Sequence, residues 1–141
     1  MLMLAVAMML AAAPGTDAWF AQRERDKWEN WNEGRTPIDL SPWFAPGAVN
    51  IGYFEKGPAR TGIDSASIAA IDRIMRTIAP KPGAITLSDF KIVRVGGKGA
   101  IVTYLIDDKV GPLGHGFVTS VWEKRGDRWL TVFYQATAGP R

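Results

Sequence analysis

The hydrophobic positions along this chain change period part-way through. Between Asp17 and about Glu33, Phe20, Glu24, Trp28 and Trp31 recur at helical spacing and form one stripe, while Arg23, Arg25, Asp26, Lys27 and Glu29 mostly lie off it. Thr16 or Asp17 can cap such a helix, and Gly34 supplies a stop. A short helix or turn is expected from Pro37 to Phe44, and a strand from Val49 to Phe54, closed by Gly57-Pro58. A further helix is expected from about Asp64 to Ala79, with Ile68, Ile71, Met75 and Ile78 on one face.

From Ile85 onward the period is that of strands. Ile85 to Val95 and Ala100 to Asp108 flank Gly96-Gly97-Lys98-Gly99, which is hairpin chemistry. A second hairpin spans Gly116 to Thr137, where two runs rich in Val, Trp, Phe and Tyr flank Lys124-Arg125-Gly126-Asp127-Arg128. Helices first and antiparallel strands afterwards predict an α+β fold, with a curved sheet wrapped around the helices.

Met1 to Ala13 is apolar throughout, with no Lys or Arg before Arg23. A helix of that length is too short for a bilayer of about 30 Å but fits the apolar core of a secretory signal. The expected organisation is a signal segment over residues 1–18 and one domain over 19–141, in a secreted or periplasmic protein. If the segment is instead an apolar extension packed on its own domain or on a partner, the protein is cytoplasmic.

Composition narrows the functional classes. With 141 residues, 47% hydrophobic content and six Trp, the chain fits one domain with a sizeable core. Its 17 basic and 14 acidic residues interleave, leaving a net +3 without the basic stripe that nucleic-acid binding needs. Cysteine is absent, which removes disulfides, thiolate nucleophiles and Cys-ligated metals. No His or carboxylate cluster has metal-ligand spacing, and Gly96-Gly97-Lys98-Gly99 leads into a strand rather than the helix a phosphate loop requires. Neither a metal nor another cofactor is expected.

Three residues are candidates for acid–base chemistry. Glu24 interrupts the apolar stripe, where a carboxylate could project into a cavity; alternatively it reaches water or a nearby arginine. His115, the only histidine, stands between glycines in an expected loop with no evident orienting carboxylate. Asp108 follows Asp107, and adjacent strand residues point to opposite faces, so the two are not a pair on one side.

The motifs together resemble the nuclear transport factor 2-like superfamily, in its SnoaL-like and ketosteroid-isomerase-homologue branch of unknown function. Trp31-Asn-Glu-Gly34, Trp43-Phe-Ala-Pro-Gly-Ala-Val49, Gly99-Ala-Ile-Val-Thr-Tyr104, Thr119-Ser-Val-Trp-Glu-Lys-Arg-Gly-Asp-Arg-Trp129 and Gln135-Ala-Thr137 carry the resemblance. It implies a cone of three helices capping a strongly bent sheet, open at one end to an apolar pocket, often in a homodimer joined through the sheet's outer face. Steroid-isomerase-like members place a carboxylate base on the first strand, where this chain has Gly52 beside Asn50, and a tyrosine on the first helix, where it has none. The kinase association domains that the terminal hairpin also resembles carry pocket arginines where this chain has Ile106 and Ser120, and histidines where it has Phe133 and Gln135.

With the register the resemblance implies, alternation places Val102, Tyr104, Ile106 and Asp108 on the concave face, with Val118, Ser120 and Trp122 and then Trp129, Thr131, Phe133 and Gln135. The ligand-binding candidates are accordingly Tyr104, Ser120, Trp122, Phe133 and Gln135. The alternative is that these side chains fill the core, and a slip of one residue would reverse the faces. The expected function is binding of a small apolar or aromatic molecule between helices and sheet. The alternatives are an isomerase, cyclase or hydro-lyase using Glu24, His115 or Asp108, or a homodimeric interaction module with a vestigial pocket.

Overall fold

The computed structural model describes residues 11–32, 41–54, 57–61, 83–109 and 114–139. The first ten residues of the apolar start of the chain, residues 37–40 of the short helix or turn expected from Pro37 to Phe44, the helix expected over 64–79 and the side chain of Trp31 lie outside this description. The described elements are α1 (Asp17–Asn32), β1 (Phe44–Phe54), β2 (Gly57–Thr61), β3 (Ile85–Val95), β4 (Gly99–Asp108), β5 (Gly114–Arg125) and β6 (Arg128–Thr137).

α1 begins where its sequence signals place it. Thr16 Oγ1 accepts from the Trp19 amide at 3.2 Å, the Phe20 amide donates to the Thr16 carbonyl at 3.0 Å, and Asp17 stands in the first turn. Asp17 also meets Arg94 of β3 at 2.7 Å, which ties the helix start to the sheet. Just ahead of the helix, Gly15 adopts φ +82° against the indole of Trp129; a Cβ there would stand 2.7 Å from Nε1, so only glycine fits.

The sheet runs β2-β1-β6-β5-β4-β3. β3 to β6 form the expected antiparallel meander, and β1 joins β6 in parallel. β1 begins five residues earlier than expected, and β2 replaces the expected closure at Gly57-Pro58, because β1 folds back antiparallel on the residues after it. Both edges are poor templates for further strands. β2 contains Pro58, which has no amide hydrogen, and β3 bulges between Ser88 and Lys91 with Asp89 at φ 52°.

α1 lies on the inner face of this curved sheet, and β4 shows the alternation plainly: Val102, Tyr104, Ile106 and Asp108 are buried. Phe20 is the hub of the helix–sheet contact. Its ring centroid lies 5.6 Å from Trp122, 5.1 Å from Trp129 and 5.2 Å from Trp19, all edge-on, with the Arg94 guanidinium 4.9 Å away.

β6 departs from simple alternation. Trp122 pairs with Thr131 but Val121 pairs with Phe133, so Val132 is an extra residue, a β-bulge. Beyond it the faces exchange: Tyr134 and Ala136 point inward with Ser120 and Val118, while Phe133 and Gln135 join Val121 and Thr119 outside. The alternation expected for Phe133 and Gln135 is corrected by this one inserted residue. Tyr134→Ala should therefore cost about 3–5 kcal/mol, and Phe133→Ala only a fraction of that, in urea unfolding under conditions where the chain is monomeric. Equal losses would contradict the bulge.

Candidate functional site

The interior between α1 and the sheet is built around one carboxylate. Glu24 is fully buried, one turn after Phe20 on the inward stripe of α1. Its Oε1 accepts from Trp122 Nε1 at 2.8 Å and its Oε2 from Tyr104 Oη at 2.9 Å. Trp28 Nε1, one turn further along the helix, donates to the same Tyr104 oxygen at 2.7 Å. A relay thus runs from Trp28 through Tyr104 to Glu24, with Trp122 closing the other side.

The counter-charge comes from the same helix. Lys27 Nζ lies 2.9 Å from Glu24 Oε2, an ion pair rather than an aligned hydrogen bond, and the lysine is also buried. Its ammonium sits among the rings of Tyr134, Phe44 and Trp122 at 4.8, 4.9 and 5.3 Å from their centroids. Burial pulls the Lys27 pKa below its ordinary value, against the attraction of Glu24. Burial also pushes the Tyr104 and Tyr134 hydroxyls well above theirs, and the nearby Glu24 carboxylate adds to both. Both phenols consequently stay protonated, and Tyr104 donates its proton to the Glu24 carboxylate.

The candidates from sequence fall into three places. Glu24, Tyr104 and Trp122 form the buried network, with Ser120 on the same inner wall; its hydroxyl, like that of Thr131 and the Asn50 carbonyl, has no hydrogen-bond partner among the described residues. Asp108 is buried at the far end of β4, across from Gly114 and Ile85. His115, expected in a loop without a carboxylate, instead opens β5 opposite Asp107, with Nδ1 3.1 Å from Asp107 Oδ1 on the exposed outer face. The sheet therefore separates His115 from Glu24 and Asp108. Asn50 and Gly52 are both buried on β1, where a carboxylate base would stand in a steroid-isomerase-like site.

Lys27 was not among the candidates. It was expected off the inward stripe, but the structure buries it; its i+3 spacing from Glu24 puts the two side chains side by side on the helix, and that spacing was the available signal. Among the described residues no group of three His, Cys, Asp or Glu is placed to hold a metal ion, and no helix is long and apolar enough to cross a membrane. A cleft of about 250 Å³ remains where α1 meets β3, lined by Arg25, Trp28, Glu29, Ile85, Thr86 and Leu87.

This architecture is shared with solved structures. An uncharacterised cystatin-like-fold protein from Caulobacter vibrioides superposes with a TM-score of 0.63 at 20% identity, over 85% of this chain and 87% of the other. A nuclear transport factor 2-like protein of unknown function from Shewanella oneidensis gives 0.61 at 17%, over 89% and 99%. A Xanthomonas campestris protein described as a candidate calcium/calmodulin-dependent protein kinase II association domain gives 0.59 at 20%, over 93% and 94%. No family model and no curated protein matches the chain. The fold is that of the nuclear transport factor 2-like and cystatin-like proteins.

The charge balance of the network is testable. Lys27→Met should destabilise by about 3–5 kcal/mol, because it leaves Glu24 buried without its cation. Adding Glu24→Gln should return part of that loss, a coupling readable from a double-mutant cycle in urea. Depression of the Lys27 pKa means the folded chain sheds this proton first, so the unfolded chain holds more protons and stability rises with pH up to the ordinary lysine range. Elevation of Tyr104 and Tyr134 has the opposite sign: the unfolded chain loses those protons first, and stability falls above about pH 10. Lys27→Met should abolish the rise and Tyr104→Phe should soften the fall.

Proposed function

We propose that this domain works by self-association through the outer face of its sheet. The observation that carries the reading is the apolar surface of β3 to β6. Cross-strand register aligns Val93, Ile101, Val121 and Phe133 in one row and Leu105 with Phe117 in another, separated by the row Lys91, Thr103, Thr119 and Gln135, which carries its charge at the β3 edge. The cross-strand partners Leu105 and Phe117 are 40% and 45% exposed, and Val93 in the other row is 59% exposed, so apolar surface is open in both rows.

A second copy is the occupant that fits. The patch is apolar on both sides of a stripe that is uncharged from β4 to β6, with Lys91 at its β3 edge, so it can meet itself about a two-fold axis without opposing like charges at its centre. Edge-to-edge association is disfavoured by Pro58 on β2 and the Asp89 bulge on β3, which leaves the face. The interior supports a non-catalytic role, since Glu24 already accepts from two donors and pairs with Lys27, and His115 lies across the sheet. The described candidate association domain from Xanthomonas is consistent with this reading.

A second reading rests on the cleft beside Trp28. Its indole, Ile85 and Leu87 form an apolar wall, with Arg25 and Glu29 also lining the cleft, which suits a small aromatic molecule. Saturable quenching of tryptophan fluorescence by such compounds, lost in Leu87→Arg, is the result this reading expects; no quenching across steroids, quinones and polyketide-like compounds counts against it.

Sedimentation equilibrium tests the principal proposal. The native chain should be dimeric at micromolar concentration, and Phe117→Lys should weaken the dimer at least tenfold, equivalent to about 1.4 kcal/mol, while leaving the monomer's circular dichroism unchanged. A native chain that stays monomeric overturns it.

A further inference from the structure

We infer that the His115–Asp107 pair makes this self-association sensitive to pH, tightening the dimer as the medium becomes acidic. The inference rests on the pairing proposed above and adds its regulation. His115 and Asp107 are cross-strand neighbours, Nδ1 to Oδ1 3.1 Å, in the register next to Leu105 and Phe117 and on the same outer face. Their side chains are 68% and 40% exposed, so a partner seated on the apolar rows would be brought against them.

The other described charged side chains near this face are lysine, arginine and carboxylate, types that do not ordinarily titrate between about pH 5 and 8. Lys91 stands 3.6 Å from Asp89, and Arg125 2.8 Å from Glu123, each pair neutral overall. Around the dyad itself, β3 contributes Thr86 opposite Asp107, and the chain after β6 brings Gly139 against the His115 backbone carbonyl; along the chain Asp107 is followed by Asp108, buried on the inner face at the end of β4, and then by Lys109 just beyond the strand. Among the described residues of this face, histidine is thus the one side-chain type with an ordinary pKa in that range.

The sign follows from the pair's charge. With His115 neutral, each protomer presents the net negative charge of Asp107 to a desolvated interface, and two-fold pairing sets two such charges into the same contact. Protonation of His115 turns each dyad into an internally neutral ion pair, which is less costly to cover. The dimer accordingly binds protons more tightly than the monomer, and its dissociation constant falls as the pH is lowered.

Sedimentation equilibrium at about pH 5.5 and about pH 8, on either side of the ordinary histidine pKa, tests this with the full chain. The native dimer should dissociate at least tenfold less readily at the lower pH, since one unit of pKa shift is a factor of ten. His115→Gln should remove the dependence. Asp107→Asn should reverse it, because the protonated histidine then carries an unanswered charge into the interface. A native dimer of equal strength at both pH values, or a dependence that survives His115→Gln, overturns the switch while the association stands. A chain monomeric at both overturns the association and the switch together.

Discussion

A carboxylate withdrawn from water must have its charge answered by the protein, and Glu24 fixes how the helix and sheet of this domain meet. Removing such a group from solvent costs several kcal/mol, a sizeable share of the net stability of a small domain. The cost is offset here only when Tyr104 from β4, Trp122 from β5 and Lys27 from α1 itself all arrive together. A helix rotated by one residue, or a sheet slipped by one, would leave the carboxylate unpartnered. The network therefore selects one docking of α1 more sharply than the surrounding aromatic contacts, which tolerate small displacements.

That selection also shapes what the interior can do. Cone-shaped folds of this kind lend themselves to cavities because a bent sheet and a helix leave space between them. In this chain Trp122, Tyr104, Tyr134 and Phe20 are among the largest fully buried side chains, and they occupy that space with Lys27 threaded among the rings. Residues that resemble a binding wall when counted along strands become, in three dimensions, one another's partners. The neutral hydroxyls of Ser120 and Thr131 are bystanders to the hydrogen bonds that hold the carboxylate.

Much of this architecture was legible in the residues. The cap at Thr16, the glycine turns at Gly96 and Gly126 and the alternation of β4 are local, and local chemistry determines them. The inward placement of Glu24 was legible from helical spacing, but its partners were not, because Tyr104 and Trp122 lie 80 and 98 positions away along the chain. Asp107 was set aside as the neighbour of Asp108 on the opposite face; its relevance to His115 came from the cross-strand register of β4 and β5, which the pairing of the two strands determines and neither strand's own sequence states. The bulge at Val132 carries no sequence mark, since its Thr-Val-Phe context is ordinary strand composition and neither Gly nor Pro announces it.

The bulge has a further effect on how the two faces relate. By inserting one residue it sets Phe133 and Tyr134 back to back, the first among the apolar rows outside and the second beside the Lys27 ammonium within. β6 is thereby a partition one backbone thick between a surface open to other molecules and a buried charge. Any pressure that flattens or twists the strand from outside is felt by the aromatic enclosure of Lys27. Conversely, an insertion or deletion in these few residues would exchange core for surface in a single step, so the length of this strand is held more tightly than the identity of most side chains on it.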